Sequence, residues 1–143
     1  MEYEIRRYTE LPIKIKNELL NFLFPFNEYG MNRHREIDIY LRYINQSIHY
    51  IIFQYDIIIG AVRCILKRES WETLPVESAK CIKCLDVKYR KFFPLNQYFE
   101  INFGELVVEV GGLRASNDLG IRERYEIITK LFYKCEEELS QVY

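Results

Sequence analysis

Two apolar runs separated by a single acidic residue constrain this chain most. His49 to Tyr55 and Ile57 to Leu66 are dense in Ile, Tyr, Phe and Val and break only at Asp56. β-Branched and aromatic residues suit a pleated surface, and a short polar break between two such runs predicts an antiparallel hairpin. Tyr3 to Tyr8 alternates loosely and predicts an earlier strand. Pro12 stands where it opens a helix whose apolar face is Ile15, Leu19, Leu20, Phe22 and Leu23, and Pro25 closes that helix. The polar stretch around Asn27, Gly30 and Asn32 reads as a loop, followed by a short helix or turn from Arg35 to Tyr43. Residues 67–95 are mixed in character and read as a partly ordered connection. Tyr98 to Val110 returns to strand composition, with Gly104 marking a bulge or turn, and its second half supplies the last strand. From Arg122 to Leu139, apolar residues at Tyr125, Ile128, Phe132, Cys135 and Leu139 recur at three- and four-residue spacing, which predicts a long amphipathic helix. The expectation is one domain over residues 1–143, of α/β (α+β) class, with a mainly antiparallel sheet packed against the helices before and after it.

Composition narrows the classes of partner. At 143 residues and 49% hydrophobic content the chain is long and apolar enough to bury a core. Twenty Lys and Arg balance twenty-one Asp and Glu for a net charge of -1, so no global basic field attracts nucleic acid or anionic lipid, and any anion site must be local. The longest apolar run, Ile57 to Val62, ends at Arg63 and falls far short of the roughly 20 residues of a membrane span. The first residues carry no apolar signal core, so the expected location is cytoplasmic, and Cys64, Cys81, Cys84 and Cys135 are expected as reduced thiols.

Glycine placement is the most informative chemical feature. Of six glycines, Gly104, Gly111, Gly112 and Gly120 lie in what reads as one strand–loop–helix unit, whose strand end, loop and helix start read Val107-Val-Glu-Val-Gly-Gly-Leu-Arg-Ala-Ser-Asn-Asp-Leu-Gly-Ile-Arg122. Free amides at a helix start attract phosphate through unpaired N–H groups and the helix dipole, and Arg114, Arg122 and Arg124 surround this one. A glycine-punctuated turn with solvated arginines is the plainer alternative. Cys81-Ile-Lys-Cys84 is a lone C-x-x-C with no companion pair, so ordinary thiols are expected and no metal. Glu36 and Asp38 are two residues apart and share a side only in extended chain.

The element order resembles the first two-thirds of the GNAT acyltransferase fold, in which the loop after the fourth strand holds the pyrophosphate of coenzyme A. Three segments look like the acyl-homoserine-lactone (autoinducer) synthases and the related N-acyl amino acid synthases. Glu36-Ile-Asp38-Ile-Tyr40 resembles their acidic E-x-D-x-Y segment. Gly60-Ala-Val-Arg63-Cys-Ile-Leu66 resembles their G-x-x-R-L strand, and Leu74-Pro75 follows it. Glu109-Val-Gly-Gly-Leu-Arg114 resembles their fourth-strand segment, with Gly111-Gly112 where that family has Ser-Arg. The chain ends at Tyr143, after what would be the third main helix, so a GNAT-like fold truncated there is expected.

What the resemblance implies is an N-acyltransferase that moves an acyl group from acyl-coenzyme A, or an acyl-carrier protein, to a small amine or amino-acid-like acceptor. Glu109 would be the base, with amides near Gly111 and Gly112 holding the oxyanion. Arg114, Gly120, Arg122 and Arg124 would hold the pyrophosphate, and Glu36, Asp38 and Arg63 would form the acceptor side. The competing expectation is a non-catalytic, degenerate module whose last strand pairs with a second copy or another chain, a reading with which the 15% aromatic content is compatible.

Overall fold

A computed structural model describes residues 2–69, 71–75 and 107–142. The expectations placed on Cys81, Cys84, Gly104 and the Tyr98–Phe103 stretch lie outside the described residues. The chain divides into two compact units, one formed by Met1–Cys64 with Val110–Tyr143 and the other by Ile65–Glu109.

Among the described residues the elements run β1 (Glu4–Arg7), α1 (Ile13–Leu23), α2 (Phe26–Tyr29), α3 (Arg33–Arg42), β2 (Ser47–Gln54), β3 (Ile57–Lys67), β4 (Val107–Ala115) and α4 (Ile121–Val142). The strands form one antiparallel sheet in the order β1-β2-β3-β4. β1 pairs with β2 so that Ile5 lies opposite Ile52 and Arg7 opposite Tyr50. The predicted hairpin is present. Its two turn residues, Tyr55 and Asp56, take φ of 52° and 61°, the left-handed pair that matches the twist of the flanking strands.

In the first unit the sheet is covered on both faces, which is why β2 is buried at six successive positions instead of alternating. On one face Ile51, Phe53 and Ala61 pack with Leu19 and Leu23 of α1 and Tyr40 of α3. Arg33 ties α3 to the end of α1 through the Phe24 carbonyl and the Asn21 side chain, both at 2.6 Å. On the other face α4 lies against β2, where Tyr50 donates to Glu138 at 2.7 Å and Arg7 pairs with the same carboxylate. In the second unit the Glu72 carboxylate closes a turn by accepting the amides of Arg68 and Glu69 at 2.8 and 2.9 Å.

Three expectations are corrected. The stretch after Pro25 is not a plain loop: it holds α2 and a 3-10 turn at Gly30–Asn32 before α3 begins at Arg33. β4 does not stop at Val110. It continues through Gly111 and Gly112 to Ala115, and the amide of Ser116 still donates to the Ile59 carbonyl at 2.8 Å. The connection to α4 is therefore only residues 116–120. Lastly, the inward face of α4 is shifted from the expected one: Ile127 and Leu131 are buried beside the expected Cys135, and Ile128 and Leu139 are half-buried, whereas Tyr125 is 74% and Phe132 37% exposed. Both stripes satisfy helical spacing, and the branched aliphatics fit the close approach to the sheet where the rings do not. No described helix is long and apolar enough to cross a membrane.

Candidate functional site

β3 carries Arg63 onto the α1–α3 face of the sheet, where a charged side chain is 95% buried. A buried guanidinium requires compensation. Here its plane lies over the Tyr40 ring, 3.8 Å from the centroid, and it donates to the Tyr40 carbonyl. The Tyr40 hydroxyl in turn shares a hydrogen bond with His49 of β2, 2.7 Å from Nε2, and Tyr8 stacks on the imidazole at 5.2 Å. Burial and the neighbouring Arg63 charge push His49 down to about 3, so the ring is neutral at neutral pH. Burial raises Tyr40 well above the usual phenol range. The result is a neutral polar chain, Tyr8–His49–Tyr40, that holds one cation in place.

That cation faces a cavity of about 330 Å³ lined by Leu23, Phe24, Tyr29, Glu36, Ile39, Tyr40, Arg63, Gly112, Leu113 and Arg114. Gly112 takes φ of 61° within β4, a conformation that favours glycine and breaks regular strand geometry where the cavity opens. A Cβ there would stand 3.3 Å from the Tyr40 ring and 3.6 Å from the Arg63 Cβ. Gly112→Ala is expected to cost about 1–3 kcal/mol from the backbone alone. Urea unfolding checks this, and a change indistinguishable from an Ala substitution at exposed Gly120 would refute it.

A second cavity, about 360 Å³, adjoins the first along β4. It is lined by Glu28, Leu113, Arg114, Ala115, Asn117, Arg124 and Ile128, so Leu113 and Arg114 belong to both. Arg114 does not stand in a loop as expected but in β4, where its guanidinium makes a bidentate pair with Glu28 at 2.7 and 2.8 Å. The pair holds the Glu28 carboxyl below its ordinary range.

Of the residues singled out from sequence, the structure brings Glu36, Arg63, Gly112 and Arg114 to the first cavity and Arg124 with Arg114 to the second. Asp38 is not with them: two residues along a helix put it on another side, where it pairs with His34 at 3.5 Å. Gly111 is a half-buried strand residue rather than a loop residue, and Glu109 is a half-buried strand residue of the 65–109 unit. Gly120 immediately precedes α4, its carbonyl accepting the Arg124 amide at 2.9 Å, and Arg122 is exposed on the first turn. Sequence reasoning missed Glu28, His49 and Tyr40 as parts of one site. The one sequence signal was the position of His49 in an apolar run.

Taken chemically, the first cavity offers a carboxylate, a fixed guanidinium and aromatic walls, which suit a small molecule carrying an amine and an apolar or anionic portion. The second offers a cation and an amide side chain beside a short loop and a helix start, which suit an anion. Comparison with family models, curated proteins and solved structures returns no match for this chain.

Proposed function

We propose that the chain is an N-acyltransferase, taking an acyl group from acyl-coenzyme A or an acyl-carrier protein and passing it to a small amine or amino-acid-like acceptor. The observation that carries the reading is the pair of adjoining cavities that share Leu113 and Arg114: one has the chemistry of an amine site, the other of an anion site. The antiparallel order β1-β2-β3-β4 with a long helix after β4 supports the GNAT resemblance read from the sequence. In this reading Glu36, which lines the acceptor cavity, takes over the base role that the resemblance gave to Glu109: it holds the acceptor ammonium and takes its proton. The freed amine attacks the thioester carbon, and the oxyanion is met by the amide at Gly112 before the thiolate leaves. Arg63 orients the acceptor, and Asn117 and Arg124 meet the pyrophosphate.

Thermal stability against a panel of acyl-coenzyme A thioesters tests this, since a ligand bound only by the folded chain raises its midpoint. Arg124→Ala is expected to weaken binding about tenfold, the loss of one charge-assisted contact. Glu28→Gln is expected to strengthen it, because Arg114 is then free to turn to the anion. No stabilisation by any acyl-coenzyme A or acyl-carrier protein overturns the proposal. The second reading, a non-catalytic module, draws on β4 lying at the end of the sheet among the described residues. A chain that binds no acyl donor and sediments as a dimer would favour it.

A further inference from the structure

β3 alternates its side chains between two layers: Ala61 and Arg63 face the Tyr40 side, and Gly60 and Cys64 face α4. The approach of α4 is close. A Cβ built on Gly60 would stand 2.6 Å from Cγ2 of Ile127. From there the strand and the helix keep pace, because four strand residues advance about 13 Å and eight helical residues about 12 Å. Cys64 therefore meets Cys135, and the two thiols share a hydrogen bond. Each is buried to 98%, and neither takes part in the cavities described above.

We propose that Cys64 and Cys135 are a redox pair which a small peroxide converts to a disulfide, clasping α4 to β3. Cys135 donates its S–H to the Cys64 sulfur. That bond lowers Cys64 below its ordinary thiol range, while Cys135 is raised by the same bond, by burial and by Glu138. Cys64 is thus the attacking sulfur. Its thiolate attacks one peroxide oxygen, the O–O bond breaks, and the departing hydroxide takes up the proton that Cys64 shed, leaving a sulfenic acid and one water. The Cys135 sulfur then attacks the Cys64 sulfur, the S–O bond breaks, and the hydroxyl leaves with the Cys135 proton as a second water. Two thiols lose two electrons and the peroxide gains them. Burial selects the oxidant: hydrogen peroxide is small and uncharged, whereas a protein disulfide cannot reach the pair. A dithiol reductant reverses the bond once α4 opens.

The test uses the full-length chain with Cys81→Ser and Cys84→Ser, so that only the two buried thiols report. After treatment with hydrogen peroxide the chain is denatured, alkylated and digested. The expected result is a cross-linked peptide pair joining Cys64 to Cys135, a mass lower by two hydrogens, and recovery of both alkylatable thiols after dithiothreitol. The cross-linked chain should also melt about 5 °C or more higher, since the bridge closes a long loop. Adding Cys135→Ala should divert Cys64 to the sulfinic acid. Two thiols that still alkylate fully after an exposure sufficient to oxidise the denatured chain would overturn the proposal. So would a sulfinic Cys64 formed while Cys135 remains a free thiol.

Discussion

Acidification from pH 7 toward pH 4 is expected to strip the fold of much of its stability through one residue, His49. Its folded value lies at about 3 against 6.5 for a free imidazole. The unfolded chain therefore takes up the proton first. The stabilisation is fully present above pH 6.5 and is lost progressively as the pH falls from 6.5 toward 3. A depression of this size corresponds to several kcal/mol, on the order of 3–5, with a slope near 1.4 kcal/mol per pH unit inside the window. Set against a net stability of about 5–15 kcal/mol for a typical domain, that loss is a large fraction of the total. The cause is physical: a proton on His49 would place a second cation in a buried site already holding Arg63, between the rings of Tyr8 and Tyr40. His49→Gln keeps a hydrogen-bonding side chain for Tyr40 and removes the titration. Urea midpoints of both proteins from pH 4 to 8 at fixed ionic strength decide the matter. Glu4 and Glu28, lowered by Arg6 and Arg114, lose their stabilising ionisation near the acid end in both proteins, so their share cancels in the difference. Equal slopes in the two proteins would sink the prediction.

Filling the space above Gly60 should be the most damaging added methyl among the described glycines. The new Cβ would meet Ile127 Cγ2 at 2.6 Å, Ile52 Cγ2 at 2.9 Å and the Arg114 carbonyl at 3.3 Å. Neither methyl can swing away, because both isoleucines are fully buried and β-branched, which fixes their first torsion. The Ile127 contact can be relieved only by moving α4 off the sheet, and the Ile52 contact lies within the sheet itself. Overpacking of this kind costs about 1–3 kcal/mol, and the upper end is expected for Gly60→Ala. Gly60→Val should fail to fold. The diagnostic is a double-mutant cycle: Ile127→Ala costs about 2–5 kcal/mol alone but also removes the shortest of the three contacts, so the pair should be less destabilised than the sum by about 1 kcal/mol or more. Strict additivity would show that α4 adjusts without meeting Gly60.

Much of this architecture is legible in the amino-acid order because the strongest signals are local. The β2–β3 hairpin follows from two apolar runs with one break, and α1 from its proline brackets and spacing. Those signals depend on period and punctuation, which tertiary packing does not override here. Where reading failed, competing patterns were equal at the level of sequence. α4 carries two overlapping stripes of helical spacing, and it is Ile127, close against Gly60 of β3, and not Tyr125 that comes inward. Gly111-Gly112 reads as a loop because paired glycines usually end a strand, yet β4 runs through them with one residue in the left-handed region. Glu36, Arg63 and Arg114 were found as separate segments. Their convergence depends on strand order, which no single segment carries, and the Glu28–Arg114 pair spans 86 positions of sequence.

The left-handed turn at Tyr55 and Asp56 has a consequence for how this chain can vary over evolutionary time. Side chains on β3 alternate, so a one-residue insertion or deletion at the turn would exchange Arg63 with Cys64. A guanidinium would then be driven against α4 and a thiol would face the cavity, disabling both layers in a single genetic event. Both turn positions need residues that accept positive φ, and Asn-Gly in their place would relieve the strain of two non-glycine residues there. Sequence drift at the hairpin tip is therefore narrowed in identity and forbidden in length, and indel-free alignment across residues 47–67 is the signature to seek in any relative of this chain.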